Sequence, residues 1–141
     1  MSTLDFCQLS ETLSIEEITE IPNKVLDAML SAGADVGKDA LQREIRSLGL
    51  VKTEQFVTSL VKRVKVGKDG RPFYMVYPTG KRREDTGGGT NNLIGLVHEF
   101  GDAKRGIPAK QWARTAIEKC ADDVLAAELK VYDEYLKNRR E

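Results

Sequence analysis

Apolar residues recur along the chain in two different periods, and the longer period predicts a long helix near the start. Between residues 25 and 48 an apolar residue recurs every three or four positions on a wide face, which is typical of a well-buried helix. Pro22 suits the first turn of this helix, and Gly49 suits the position just after its end. A capping box at 14–17 predicts a shorter helix before it, ending at Ile21.

Two glycines lie inside the long predicted helix. In a helix interior Gly33 and Gly37 each cost up to about 1 kcal/mol relative to alanine. We expect such glycines where another backbone comes close, and a break of the helix near Gly37 is the alternative. The run from Gly33 to Asp39 does not match a phosphate-binding loop, because no hydroxyl residue follows Lys38 and no strand precedes the run.

The middle of the chain changes to the period of a β-strand. Residues 60–66 alternate between apolar and basic side chains, and residues 72–78 form a proline-bounded run rich in aromatic residues. Residues 67–70 between them carry turn chemistry, so the two runs predict a β-hairpin with one basic face. A helical turn is predicted within 53–59. Residues 79–92 are polar and rich in glycine, which predicts a mobile loop.

A short helix is predicted after this loop. Leu93, Leu96, Val97 and Phe100 lie on one apolar stripe, and Gly101 is placed to end the helix.

The final helix is expected over 110–138 and carries two apolar stripes. One stripe can face the core of the domain. The second stripe occupies the far half of the helix and indicates contact with another subunit, and a helix lying deep across a sheet is the alternative. The far-half residues that we expect at such a contact are Leu129, Tyr132 and Leu136.

Together these elements predict a single α+β domain over residues 1–141. It has a long N-terminal helix, a small antiparallel β-sheet built on the basic hairpin, a short helix, and a long C-terminal helix packed on the sheet. A hydrophobic content of 40% and a charged content of 31% suit such a domain. Residues 1–9 lack periodicity and are expected to be mobile. The chain has no secretory signal and no long apolar run, which favours synthesis in the cytosol.

Charge is distributed unevenly, although the formal net charge is zero. Residues 1–21 carry five acids and no base, whereas residues 60–83 carry eight bases against one acid. Opposed patches favour head-to-tail contact between copies of the chain. Neutralisation within one chain, or two solvated faces, are the alternatives. The basic residues that we expect at a contact between copies are Lys62, Arg63, Lys65, Arg71, Lys81, Arg82 and Arg83.

No group of residues has the pattern of a catalytic or metal site. His98 is the only histidine, and on a helix the adjacent Glu99 does not face it. Cys7 and Cys120 are far apart and fit no metal or redox motif. We therefore expect no enzymatic activity, cofactor, metal or small-molecule ligand. Glu99 is either solvated or paired with the basic hairpin of another subunit. Trp112, the only tryptophan, is expected to anchor the core or an interface.

The basic hairpin also supports a different class of function. Phe73, Tyr74 and Tyr77 are interleaved with the bases, and such a surface can hold a phosphate backbone and stack bases. A small nucleic-acid-binding or regulatory protein that uses residues 60–83 is therefore the alternative function. Against it, the chain is neutral overall, and strand alternation also allows the rings to point inward.

Around residue 100 the chain reads Glu99-Phe100-Gly101, followed after a loop by Pro108-Ala109. This resembles the tail-component family of long-tailed bacteriophages, the tail-completion or head–tail joining (neck) proteins. The motif of that family is an apolar-aromatic helix ending in Glu-Phe-Gly-Thr, a short loop, and Pro-Ala-Arg-Pro-Phe at the start of the last helix. Here Asp102 replaces the threonine, and residues 110–112 read Lys-Gln-Trp where Arg-Pro-Phe is usual. The resemblance covers about residues 22–138.

The resemblance implies a non-enzymatic subunit that forms a ring, commonly of six copies, at the junction of head and tail. Its partners are then other copies of itself and neighbouring neck or tail-tube proteins, with genomic DNA passing through unread and no membrane involved. Such a protein is present in the host cytoplasm during assembly and then in the virion tail or neck. The motif residues that we expect at the interface are Glu99, Phe100, Gly101, Pro108 and Trp112.

Overall fold

The computed structural model describes residues 20–49, 55–81 and 90–140, and the elements follow the predicted order. They are α1 (Asn23–Ser47), α2 (Gln55–Thr58), β1 (Leu60–Val66), β2 (Pro72–Pro78), α3 (Asn91–Phe100), a 3-10 turn (Ala103–Arg105) and α4 (Trp112–Arg140). The α+β architecture predicted from the sequence is confirmed. The capping box at 14–17 and the mobile segment predicted for 1–9 lie outside the described residues.

The two long helices pack against each other along their length. Near the start of α1, Leu26 packs in one cluster with Tyr132, which lies towards the end of α4. Near the end of α1, Ile45 packs in another cluster with Ala113, which lies at the start of α4. The helices are therefore antiparallel, with an apolar cluster at each end. A smaller cluster between the two consists of Ala40, Cys120 and Val124.

Gly33 lies where α4 approaches α1 closely. A Cβ added to Gly33 would meet Glu128 Cγ at 2.9 Å and Val124 Cγ1 at 3.1 Å. The close approach expected at Gly33 is therefore present, but side chains make it rather than a backbone. Around Gly37, by contrast, no described atom lies within 4 Å of such a Cβ, and α1 continues through this residue. Neither the close approach nor the break expected at Gly37 occurs, because the helix is continuous there and leaves open space beside this residue.

The hairpin has the predicted bounds. β1 and β2 pair antiparallel, with Leu60 opposite Pro78 and Val66 opposite Pro72. The Gly67 N–H donates to the carbonyl oxygen of Arg71 at 2.8 Å and closes the turn. In this register the even-numbered residues of both strands share one face, and the odd-numbered residues share the other.

The even-numbered face rests on α1. The Tyr74 hydroxyl donates to Asp27 Oδ1 at 2.9 Å. Lys62 Nζ donates to Ser31 Oγ at 2.8 Å and pairs with Asp35 Oδ1 at 2.7 Å. Helix α1 covers most of this face, and α4 packs mainly on α1 while its first turn also meets Leu60 of the sheet in one apolar cluster.

Both ends of the segment 79–92, which is predicted as a mobile loop, are held by hydrogen bonds. The Thr79 N–H donates to the Ser59 carbonyl at 2.9 Å, and Asn91 Nδ2 donates to the Thr79 carbonyl at 2.8 Å. Lys81 and Thr90 form an isolated β-bridge, and the buried Asn91 begins α3. The prediction was therefore wrong at both ends of the segment, because polar side chains read as loop residues fix the backbone there. Residues 82–89 lie outside the described residues.

Candidate interaction surface

Helix α3 turns its apolar stripe away from the core. Leu93 is 57% exposed, Leu96 is 48% exposed and Phe100 is 74% exposed. An amphipathic helix ordinarily buries such a face against its own domain. These three residues form what we call the apolar stripe. Large apolar side chains grouped on a surface in this way mark sites of interaction with other molecules.

The helix is anchored instead through a small residue. Gly95 is buried, and ring atoms of Phe56 and Trp112 would each lie 3.2 Å from a Cβ added there. The two rings pack edge to face with centroids 5.5 Å apart, and the indole N–H of Trp112 donates to the Gly95 carbonyl at 2.8 Å. Because only glycine lets the helix approach these rings, Gly95 faces inward and the apolar stripe faces outward.

Glu99 ties α3 to the beginning of α4. Its carboxylate accepts from the Ala113 N–H at 2.7 Å and from the Arg114 N–H at 3.2 Å. The first amides of a helix have no partner within the helix, and a carboxylate there also complements the positive end of the helix dipole. The sequence leaves two alternatives for Glu99, which are solvation or an ion pair with another subunit. The structure instead shows a contact with backbone amides of its own chain.

The linker between the two helices satisfies the other helix end. The Lys110 N–H donates to the His98 carbonyl at 2.7 Å, and the Gln111 N–H donates to the Glu99 carbonyl at 3.2 Å. The last carbonyls of α3 thereby gain partners that the helix itself does not supply. Each helix end is thus held by a group from the other side of the linker.

Gly101 makes the turn that brings these groups together. Its φ of 78° favours glycine, and an added Cβ would lie 2.8 Å from the Ala109 nitrogen. Glycine is therefore required both by the backbone conformation and by the space. We call this arrangement the clasp, and it consists of Glu99, Gly101, Lys110, Gln111 and Ala113.

Two positions that depart from the phage motif have a defined geometry. Gln111 has a φ of 48°, whereas proline fixes φ at about −65°. A proline at position 111 is therefore incompatible with this backbone. Asp102 Oδ1 accepts from the Lys104 N–H at 3.2 Å and caps the 3-10 turn. A threonine hydroxyl can fill the same capping role, so the two residue types are interchangeable in this geometry.

An apolar groove of about 460 Å³ lies between α3 and the first turns of α4. Leu96 and Phe100 of the apolar stripe line it together with Trp112, Ala113 and Ile117. The groove and the stripe are therefore one continuous surface. Its size and lining suit large apolar side chains from a partner, which supply most of the binding energy in protein interfaces.

Part of the predicted basic surface is used within the chain. Lys62 faces α1, as described above. One guanidinium nitrogen of Arg71 donates to the Ile21 carbonyl at 2.7 Å and to Asn23 Oδ1 at 3.0 Å. These contacts fasten the turn of the hairpin to the start of α1, so both side chains have a structural role.

The other two basic residues of the hairpin strands lie on the odd-numbered face. Arg63 and Lys65 are exposed there, and the half-buried Phe73 and Tyr77 share that face. The three aromatic rings considered for base stacking are thus divided, since Tyr74 points to α1. Among the remaining bases predicted at a contact, Lys81 is exposed, while Arg82 and Arg83 lie outside the described residues.

The far half of α4 has a partner in its own chain. Leu129, Tyr132 and Leu136 pack with Leu26 and neighbouring residues of α1. The second apolar stripe of α4 therefore helps to form the core, because α1 is long enough to cover both halves of α4. A contact of these residues with another subunit stays a prediction.

The titratable side chains among the described residues do not converge to form a metal site. Within the described ranges no cluster of histidine, cysteine, aspartate and glutamate could hold a metal ion. None of the helices described is long and apolar enough to cross a membrane.

The Tyr74 hydroxyl has a shifted pKa. Burial raises this pKa above its ordinary value of 10.0, and the hydrogen bond to Asp27 raises it further, while Ser31 and Lys62 lower it.

Three buried residues that matter here were missed from the sequence. The sequence pattern places Asn91 in the loop and Gly95 within a helix, without marking either as buried. Glu128 is fully buried opposite Gly33, within a face that reads as apolar. A glycine inside an apolar helix is a signal of close packing, so Gly95 was open to prediction, whereas nothing in the local pattern marks Glu128.

Comparison of the chain with family models, with curated proteins and with solved structures found no match. The clasp, the apolar stripe and the groove are therefore the features from which a function is inferred.

Proposed function

We propose that the chain is a non-enzymatic structural protein of a long-tailed bacteriophage or prophage, acting in tail completion or head–tail joining. It forms a ring through contacts between copies and docks onto neighbouring neck or tail-tube proteins. The observation that carries this proposal is the apolar stripe, which the clasp holds on the surface while Gly95 faces the core. An assembly protein needs such a surface, since large buried side chains dominate the energy of protein contacts.

The residues of the phage motif support this role. Glu99 and Gly101 build the clasp, and Phe100 between them is exposed. The motif residues therefore present an aromatic side chain at a fixed place. Arg63 and Lys65 leave a basic surface on the hairpin, which suits an acidic partner in a ring whose channel passes DNA without reading it.

The proposal is tested in cells that produce particles containing this protein. Phe100→Ser is expected to yield heads and tails that fail to join, because the main anchor of the contact is lost. Leu48→Ser is the control, since Leu48 is also exposed but lies at the end of α1. An antibody against the chain is expected to label the head–tail junction. Normally joined particles from the Phe100 variant, with label elsewhere, would contradict the proposal.

Nucleic-acid binding is the second candidate, and the open face of the hairpin favours it. Exposed Arg63 and Lys65 share that face with Phe73 and Tyr77. If this face binds DNA, affinity falls steeply between about 50 and 200 mM salt, and Arg63→Ala with Lys65→Ala weakens it. Fluorescence anisotropy with a labelled duplex measures both effects. The absence of binding at low salt would exclude this candidate.

A further inference from the structure

The apolar stripe and the groove expose apolar surface to water in the unassembled protein. Phe100 and Leu93 are each more than half exposed, and the groove beside them is lined by apolar side chains. Water contact with such a surface is unfavourable in proportion to its area. An uncovered surface of this kind also promotes association before the correct partner is present.

The segment that precedes α1 has the composition of a cover. Residues 4–18 lie outside the described part of the chain, and their sequence alternates large apolar residues with acids and hydroxyl residues. It contains no base. Its large apolar residues are Leu4, Phe6, Leu9, Leu13, Ile15 and Ile18.

Charge around the groove complements that segment. Residues 101–114, which form the linker and the first turn of α4, carry four bases against one acid. All four bases are exposed, but Arg114 pairs with Glu118 at 3.2 Å and Arg105 pairs with Asp102 at 3.3 Å. Lys104 and Lys110 are therefore the bases left to meet the segment, since Glu99 and Glu118 also line the groove. Residues 4–18 carry four acids and no base. Acids of the segment that meet these two lysines on the linker favour contact on that side of the groove.

The segment is long enough to reach the groove of its own chain. Ile21 packs in the same cluster as Tyr132 of α4. From Tyr132 back to Ala113 at the groove, the helix spans about 28 Å at a rise of about 1.5 Å per residue. The residues from Phe6 to Ile21 span up to about 50 Å when extended, and still about 37 Å with the helix predicted from the capping box to Ile21. A tethered segment has an effective concentration of about 1 mM at the groove. This exceeds the concentration of a second copy of the chain in a dilute solution.

We infer that residues 4–18 cover the apolar stripe and groove of their own chain before assembly, with Phe6 seated in the groove. The segment then acts as an intramolecular cover that a partner or a neighbouring copy displaces. This gives the proposed function a regulatory step, and in that sense it rests on the proposed function. The contact itself is a property of the isolated chain.

A disulfide test uses the native Cys7, which adjoins Phe6. In a full-length chain with Cys120→Ala, the exposed Leu96 is replaced, as Leu96→Cys, and the protein is oxidised mildly at low concentration. We expect a disulfide within one chain, seen as a faster monomer band without reductant and identified by mass spectrometry. Adding Phe6→Ser and Leu9→Ser is expected to abolish this band and to increase binding of an apolar dye.

Val66→Cys in the same background is the matched control. Val66 is 70% exposed, and the turn that follows it contacts the start of α1 through the Asn23 side chain and the Gly70 carbonyl, at 3.1 Å. An unanchored segment would therefore meet position 66 at least as often as position 96. Equal cross-linking at the two positions, disulfide-linked dimers in place of the monomer band, or no cross-link at position 96 would each overturn the inference.

The two proposals fail in different experiments. The cross-link is measured on purified protein. Its absence would therefore contradict the intramolecular cover without contradicting the proposed role in particles. Normally joined particles from the Phe100→Ser variant would contradict the proposed role in particles. They would not contradict a cross-link observed in the purified protein.

Discussion

Glu99, Phe100 and Gly101 occupy successive positions and do three different things. Successive side chains on a helix point about 100° apart, so neighbours face different surroundings. The Glu99 carboxylate meets the first amides of α4, Gly101 makes the turn, and Phe100 is left in solvent. The geometry therefore explains this short motif, because two of its members fix the place of the third.

Removing the Glu99 carboxylate is expected to weaken the clasp. Glu99→Ala should lower the free energy of unfolding by about 1 kcal/mol, because two helix amides lose their acceptor. Glu99→Gln should cost less, since an amide oxygen still accepts. Urea unfolding measures both changes. Glu118→Ala is the control, and it should cost less than about 0.5 kcal/mol because Glu118 forms only an exposed pair. Equal losses at the two positions would contradict the capping role.

Tyr74 is expected to make stability fall at high pH. Burial and Asp27 raise the pKa of its hydroxyl above 10.0 in the folded protein, so the folded state holds this proton more tightly than the unfolded state does. The resulting stability is complete below the unfolded pKa and is lost as pH rises through the folded pKa. Urea unfolding of the wild type and of Tyr74→Phe from about pH 8 to 11 measures it. The variant should lose the steeper part of the decline, and identical slopes would contradict this.

At the scale of elements, the hairpin and the long helices could be predicted from the sequence, but the orientation of α3 could not. Prolines and glycines bracket the strands, so their bounds were fixed by local chemistry. The apolar residues of α3 suggest a buried face, yet its orientation depends on Phe56 and Trp112, which are distant in sequence and leave room only for Gly95. The clasp likewise depends on how the linker folds back, which periodicity does not report.

The two glycines of α1 are expected to respond in opposite ways to alanine. Gly33→Ala should destabilise the fold by about 1–3 kcal/mol, because its Cβ meets side chains of α4 at about 3 Å. Gly37→Ala should stabilise it by up to about 1 kcal/mol, because the position is helical and open. Thermal and urea unfolding of the two variants are compared directly. Destabilisation of similar size at both positions would show that the helix packing is not as described.

At the scale of the whole molecule, the antiparallel pair of α1 and α4 forms a rod with different surfaces attached to it. The hairpin lies along α1, and its odd-numbered face is open and basic. Helix α3 sits at the end of the rod where α4 begins and carries the apolar stripe. One small chain therefore offers two chemically different surfaces, which head-to-tail assembly requires.

Charge reversal beside the hairpin is expected to weaken assembly without unfolding the monomer. Arg82→Glu with Arg83→Glu should lower the yield of joined particles, because complementary charge guides contact between copies. Circular dichroism should show an unchanged fold. Lys137→Glu with Lys130→Glu on α4 is the control, since both side chains are exposed on the last helix. An unchanged yield in the first variant would contradict an interfacial role for residues 82 and 83.

The position of Trp112 has a practical consequence. It is the only tryptophan in the chain, it lines the groove, and it is 3% exposed. Its fluorescence therefore comes from a single place, and we expect the emission to shift when an occupant changes the surroundings of the indole in the groove. The protein thus carries its own optical reporter, so a titration can follow whatever enters the groove without a label being attached.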